Sequence, residues 1–157
     1  MDPASVVGLV SACFSLAGQI SSTIKGLNDL RGKYKGVEEN TVALISHVNI
    51  VRSSVDALSQ WLSNPTRRRL PDESETSLKA AIDCCAMVIA GINRHVSYAQ
   101  DPSKTASMKD RVRYVWNEST ISDHVHRLDS QIGSLNLWLQ VSHLCVPFLN
   151  PSQLLKK

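Results

Sequence analysis

A chain of 157 residues, 43% apolar and 20% charged, is long enough to bury one sizeable core without extended disorder. Seven Gly and six Pro, clustered at a few places, exclude the turn spacing of an all-β fold. The formal charge of +3 falls short of the basic footprint of a nucleic-acid binder, so a single helical domain with no nucleic-acid partner is expected.

Asp2-Pro3 reads as a helix start, because the Asp carboxylate can cap free N–H groups and Pro at the first helical position lacks a donor the helix does not need. The first helix is predicted to run to about Leu30, where Gly32 and Gly36 let the chain leave it and return antiparallel. The second carries the clearest period: Val37, Thr41, Leu44, Val48, Val51, Val55, Leu58 and Leu62 form a core-facing stripe at four-three spacing. Asn64-Pro65 ends it, and Thr66 to Pro71 is a basic loop. Asp72-Glu73-Ser74-Glu75 opens a third helix with acids at the positive end of the helix dipole, and Leu78, Ile82, Cys85, Ile89, Ile92 and Val96 form its stripe.

After a loop over residues 100–104, Met108 to Glu118 reads as a short helix with Val112, Val115 and Trp116 inward and a kink near Asn117. Thr120-x-x-Asp123 restarts a helix with the stripe Ile121, Val125, Leu128, Ile132, Leu135 and Leu139, which Pro147 and Pro151 stop. The expected fold is all-α: an up-and-down four-helix-type bundle over 1–146 with a bent or split C-terminal helix, then a tail or linker over 147–157.

The first helix departs from the usual amphipathic pattern. From Pro3 through Ile24 there is no Lys, Arg, Asp, Glu or His, and those 22 positions suffice to cross a bilayer at ~1.5 Å per residue. Val6, Val10, Cys13, Ala17, Ile20, Ile24 and Leu27 draw a core stripe, and Val7, Leu9, Phe14 and Leu16 widen the apolar arc. The opposite side holds Gly8, Ser11, Ser15, Gly18 and Ser22, small residues that allow close helix approach and are tolerated in lipid. Two readings follow: a central helix buried on nearly all sides, or a membrane-insertion helix that leaves a marginally stable bundle. The insertion reading assigns Val6, Val7, Leu9, Val10, Phe14, Leu16, Ile20 and Ile24 to lipid. Lys25, Arg31, Lys33 and Lys35, with Arg67, Arg68 and Arg69, are candidate contacts for anionic lipid. Ordinary solvated charge competes with that assignment, since Asp29, Glu38 and Glu39 partly offset the first cluster.

Chemistry finds little footing. Cys13, Cys84, Cys85 and Cys145 form no C-x-x-C pair and read as buried free thiols. Met1-Asp2-Pro3 carries an acid where a secretory signal carries Lys or Arg, which argues for a reducing, intracellular setting. His124 and His126, two apart, read as surface histidines, and His47, His95 and His143 as isolated structural or surface ones. No phosphate loop, nucleophile-base pair or metal-ligand spacing occurs, so the chain is expected to be non-enzymatic and to need no cofactor or metal.

The opening Met1-Asp2-Pro3-Ala4-Ser5-Val6-Val7-Gly8-Leu9-Val10, continuing Leu16-Ala17-Gly18-Gln19-Ile20, resembles the HeLo-like N-terminal effector domain of fungal NLR-type STAND proteins. A second similar stretch is Met108-Lys109-Asp110-Arg111-Val112-Arg113-Tyr114-Val115-Trp116-Asn117, followed by Leu128-x-x-x-Ile132-x-x-Leu135-Asn136-Leu137. The resemblance covers residues 1–145. It implies a bundle like the N-terminal domain of the mixed-lineage kinase domain-like pseudokinase and a cell-death effector of fungal immunity or heterokaryon incompatibility. It also implies a resting cytoplasmic state and activation by self-association. A downstream or partner NLR nucleotide-binding module would hold such a domain inactive, and membrane lipids would be met by a pore-forming first helix at the plasma membrane. The alternative function is a non-membrane signalling or scaffold module that binds helices of another protein.

Overall fold

The computed structural model describes residues 3–33, 38–64, 72–103 and 107–144, which form five helices: α1 (Pro3–Lys33), α2 (Glu38–Ser63), α3 (Asp72–Gln100), α4 (Met108–Val115) and α5 (Glu118–Leu144). The all-α bundle expected from the periodicity is the fold observed. Asp2, Val37, the basic loop 65–71, Cys145 and the tail 147–157 lie outside the described residues, as does the side chain of Val115.

Each long helix is held by one stripe of apolar side chains. In α2, Thr41, Leu44, Val48, Val51, Val55, Leu58 and Leu62 are buried, and in α3 so are Leu78, Ile82, Cys85, Ile89, Ile92 and Val96. Burying one such Leu or Ile contributes roughly 1.5–3 kcal/mol, so these stripes dominate the stability.

α1 packs against α2 and α3, and α5 against the same two, so α1 and α5 occupy one diagonal and α2 and α3 the other. Side-chain pairs set the directions. Phe14 lies beside Asp56 to Asn64, and Arg31 beside Glu39, which makes α1 and α2 antiparallel. Gln100 Nε2 donates to the Gly26 carbonyl (3.3 Å), bringing the C-terminal ends of α1 and α3 together and making them parallel. His47–Asp129 (3.2 Å) and Ser54–Asn136 (3.2 Å) make α2 and α5 parallel. Directions thus alternate along the chain as expected, but α2 and α3, successive in sequence, face each other across the diagonal.

Two stripes differ in phase from the sequence expectation. In α1 the buried set is Val6, Leu9, Cys13, Leu16, Ile20, Thr23, Leu27 and Leu30, while Val10, Ala17 and Ile24 are half-buried at its edge. In α5 the step from Ile121 goes to His124, not Val125, which is only half-buried beside Ile132 and Leu139. An i+3 step and an i+4 step lie on the same helix face, and tertiary packing chose between neighbouring positions. Nor is α1 the central helix of one sequence reading. Only 28% of its most apolar window is buried, because it meets two helices and leaves its outer side to solvent.

The split of the last helix occurs where expected. Ser107 Oγ accepts the Asp110 N–H (3.2 Å) and donates to the Asp110 carboxylate (2.6 Å), a reciprocal cap that starts α4. The kink falls at Trp116, and Asn117 Oδ1 accepts the Thr120 N–H (2.7 Å). Asn117, not Thr120, therefore caps α5. Trp116 Nε1 donates to Thr41 Oγ1 (3.2 Å), pinning the break to the start of α2, and the buried Arg111 reaches the Ala99 carbonyl (3.4 Å) at the negative end of α3.

Gly26 is where α1 and α3 come closest: a Cβ there would stand 2.6 Å from Val96 Cγ1, whereas a Cβ on Gly18 meets nothing within 4 Å. Gly26→Ala should lose about 1–3 kcal/mol to overpacking despite its better helix propensity. Adding Val96→Ala should relieve that clash, and Gly18→Ala should gain up to about 1 kcal/mol. Urea unfolding followed by circular dichroism measures all three.

Candidate functional site

The outer side of α1 consists of Ala4, Val7, Gly8, Ser11, Phe14, Ser15, Gly18, Ser21 and Ser22 before the first charge, Lys25. All are exposed. Val7 is 69% and Phe14 67% exposed, values that place both side chains outside the core. The predicted insertion residues therefore divide. Val6, Leu9, Leu16 and Ile20 are committed to the core, Val10 and Ile24 sit at its margin, and Val7 and Phe14 face out. The small-residue set Gly8, Ser11, Ser15, Gly18 and Ser22 all lies on the solvent side, as drawn from the sequence.

The Phe14 ring borders an open groove also lined by Asp56, Ser59, Gln60, Ser63 and Asn64, polar residues at the C-terminal end of α2 and just beyond it. Gly8, like Gly18, has open space where a Cβ would be, so packing within the bundle demands glycine at neither position. Two hydroxyls of α1 are satisfied inside the helix: Ser21 Oγ donates to the Ala17 carbonyl (2.9 Å) and Thr23 Oγ1 to that of Gln19 (2.8 Å). α1 is the one described helix long and apolar enough to cross a membrane. Of the proposed basic contacts, Lys25, Arg31 and Lys33 are exposed near its C-terminal end, and Lys35, Arg67, Arg68 and Arg69 lie outside the described residues.

A second place was not read as a site from the sequence. His124, expected at the surface, is buried, and its Nε2 lies 2.9 Å from Nδ1 of His95 across the α3/α5 contact. The rings meet edge to face with centroids 5.0 Å apart. Burial, then the neighbouring His95 and Arg127, pushes the His124 imidazole down to about 4, and burial with Arg94 lowers that of His95. The signal was present in the spacing: His124 stands three residues after Ile121 and four before Leu128, on the stripe itself. His47 serves as a structural bridge, with Nδ1 2.8 Å from the Ala43 carbonyl and Nε2 facing Asp129.

Cys85 is buried, and desolvation pushes its thiol up to about 12, which removes it from nucleophilic use at neutral pH. Cys84, expected to be buried, is exposed. Compared with protein families, with curated proteins and with solved structures, the chain matches none.

The histidine pair carries a pH dependence with a defined sign. Its imidazoles bind protons less readily folded than unfolded, so their contribution to stability is complete above pH 6.5 and drains away as pH falls toward 4. The urea midpoint should fall across that interval, and the double variant His95→Phe/His124→Phe should show a shallower decline between the same two pH values.

Proposed function

We propose that this chain is a membrane-targeting, pore-forming cell-death effector domain of the HeLo-like type, in which self-association frees α1 from the bundle and lets it enter the plasma membrane. The observation that carries the proposal is the solvent side of α1: two exposed large apolar residues, Val7 and Phe14, among small neutral ones, with no charge from Pro3 to Ile24. A soluble bundle gains nothing from leaving that side without Lys or Glu, whereas hydrocarbon penalises each such charge by several kcal/mol.

The energetics support the exchange. The stripe from Val6 to Leu30 stays out of water whether it faces α2 and α3 or lipid, and Val7 and Phe14 add roughly 1.5–3 kcal/mol each when they leave water. The internally bonded Ser21 and Thr23 hydroxyls lower the cost of carrying oxygen atoms into lipid. Lys25, Arg31 and Lys33 then stand at the interface, each worth about 1 kcal/mol against anionic headgroups. Since a domain of this size is commonly stable by about 5–15 kcal/mol, a surface that rewards α1 by this much competes with the fold. The resting protein would be cytoplasmic, restrained by a downstream or partner nucleotide-binding module.

The second reading is a scaffold module that never meets lipid. It is favoured by the three-four spacing of Gly8, Ser11, Ser15, Gly18 and Ser22, an open small-residue strip against which a partner helix can pack closely. Val7→Asp and Phe14→Asp separate the two readings cleanly, because both side chains already project from the bundle and circular dichroism should remain unchanged. Under the effector reading each abolishes dye leakage from anionic liposomes. Undiminished leakage sinks that reading, and absence of liposome binding in every oligomeric state, with a tight helical partner, establishes the scaffold.

A further inference from the structure

We propose that the cleft between α3 and α5 is a binding site for a compact tetrahedral oxyanion of the phosphate class, held by Arg94, Arg127 and Thr120 above the His95–His124 pair. The cleft encloses about 270 Å³ and is lined by Gly91, Arg94 and His95 from α3 and by Thr120, Asp123, His124 and Arg127 from α5. Gly91 contributes no side chain, and a Cβ there would only touch His124 Cε1 at 3.7 Å, so the floor opens onto a buried imidazole.

The charges around the cleft are unbalanced. Arg52 and Lys79 elsewhere each face an Asp four residues on, at 3.8 and 2.6 Å. Neither Arg94 nor Arg127 has an ion-pair partner among the described residues, and both are exposed at the cleft. Two guanidiniums thus meet one carboxylate, Asp123. Both act on the imidazoles: Arg94 disfavours the cationic form of His95, and Arg127 that of His124. A doubly charged oxyanion in this position accepts from both guanidinium forks and from the Thr120 hydroxyl. Its charge also reverses the cost of protonating the histidines, so binding is coupled to proton uptake.

The anion is either a free phosphate compound or the phosphomonoester headgroup of a lipid. Calorimetry on the full chain with sulfate, whose charge is constant from pH 7.5 to 5.5, should show saturable binding that tightens as pH falls. Arg94→Gln/Arg127→Gln should weaken it by about tenfold or more, since one charge-assisted bond is worth roughly that factor. Lysine at both positions should retain part of the affinity, and His95→Phe/His124→Phe should remove its pH dependence. Inorganic phosphate should displace sulfate. Vesicles of phosphatidylcholine with and without phosphatidic acid then distinguish the sources. Sulfate-displaceable binding confined to the acidic vesicles assigns the site to a headgroup, and equal indifference to both assigns it to a free anion. No saturable sulfate binding, or binding unchanged in the Arg94→Gln/Arg127→Gln variant, overturns the proposal. Phe14→Asp leaves the cleft intact, so loss of leakage and loss of anion binding report on separate surfaces.

Discussion

The position of α1 at a corner of the bundle governs most of what the molecule exposes. A helix that meets only two neighbours buries a stripe of about two residues in seven, and α1 uses Val6, Leu9, Cys13, Leu16, Ile20, Thr23, Leu27 and Leu30 for this. Apart from half-buried edge positions such as Val10, Ala17 and Ile24, the rest of the helix is left to water. In α2, α3 and α5 that remainder includes Arg52, Asp56, Lys79, Asp83, Arg127 and Asp129, all exposed. In α1 it includes no charge for six turns. Since α2 and α5, like α1, pack mainly against two helices, burial cannot supply the cause of the contrast.

Close approach between α1 and α3 completes this geometry. Gly26 lets Val96 rest against the α1 backbone, and the Gln100 amide ties down the same carbonyl, so the C-terminal part of α1 is fastened by backbone-level contacts. Farther toward the N-terminus the fastening is by side chains alone, among them Val6, Leu9 and Cys13. The difference matches the sequence, because Gly8 and Gly18, unlike Gly26, have no neighbour that a methyl group would disturb.

Where periodicity was unambiguous, the sequence was enough. In α2 and α3 the four-three spacing ran unbroken over six or more positions, with polar neighbours such as Asn49 beside Val48 and Asp83 beside Ile82, and every described stripe residue named there is buried. In α1 the pairs Leu9/Val10, Leu16/Ala17 and Thr23/Ile24 offered two acceptable choices, and the larger side chain or the better phase could not be told apart without the partners. α5 failed for the opposite reason: a histidine at the stripe position was passed over for the valine beside it. The cleft was illegible because it joins residues 29 positions apart on two helices, and no local pattern links Arg94 and His95 to His124 and Arg127. The neutrality of α1 was legible, since absence of charge requires no knowledge of neighbours, but its exposure was not, because a helix buried on all sides reads the same.

The diagonal placement of α2 and α3 gives the molecule a plane of division. α1 with α2 and α3 with α5 are two antiparallel hairpins, and they dock through the parallel α1/α3 and α2/α5 faces. Polar ties across that plane such as Gln100 to Gly26, Trp116 to Thr41 and Ser54 to Asn136 close chain loops of 74, 75 and 82 residues, against 29 for the His95–His124 contact inside one hairpin. Because loop closure costs more as the loop lengthens, each hairpin can form by itself before the two halves come together. Parting them again would strip α1 of its α3 contacts while leaving it zipped to α2, a half-open form in which the apolar stripe is bared before any helix unwinds.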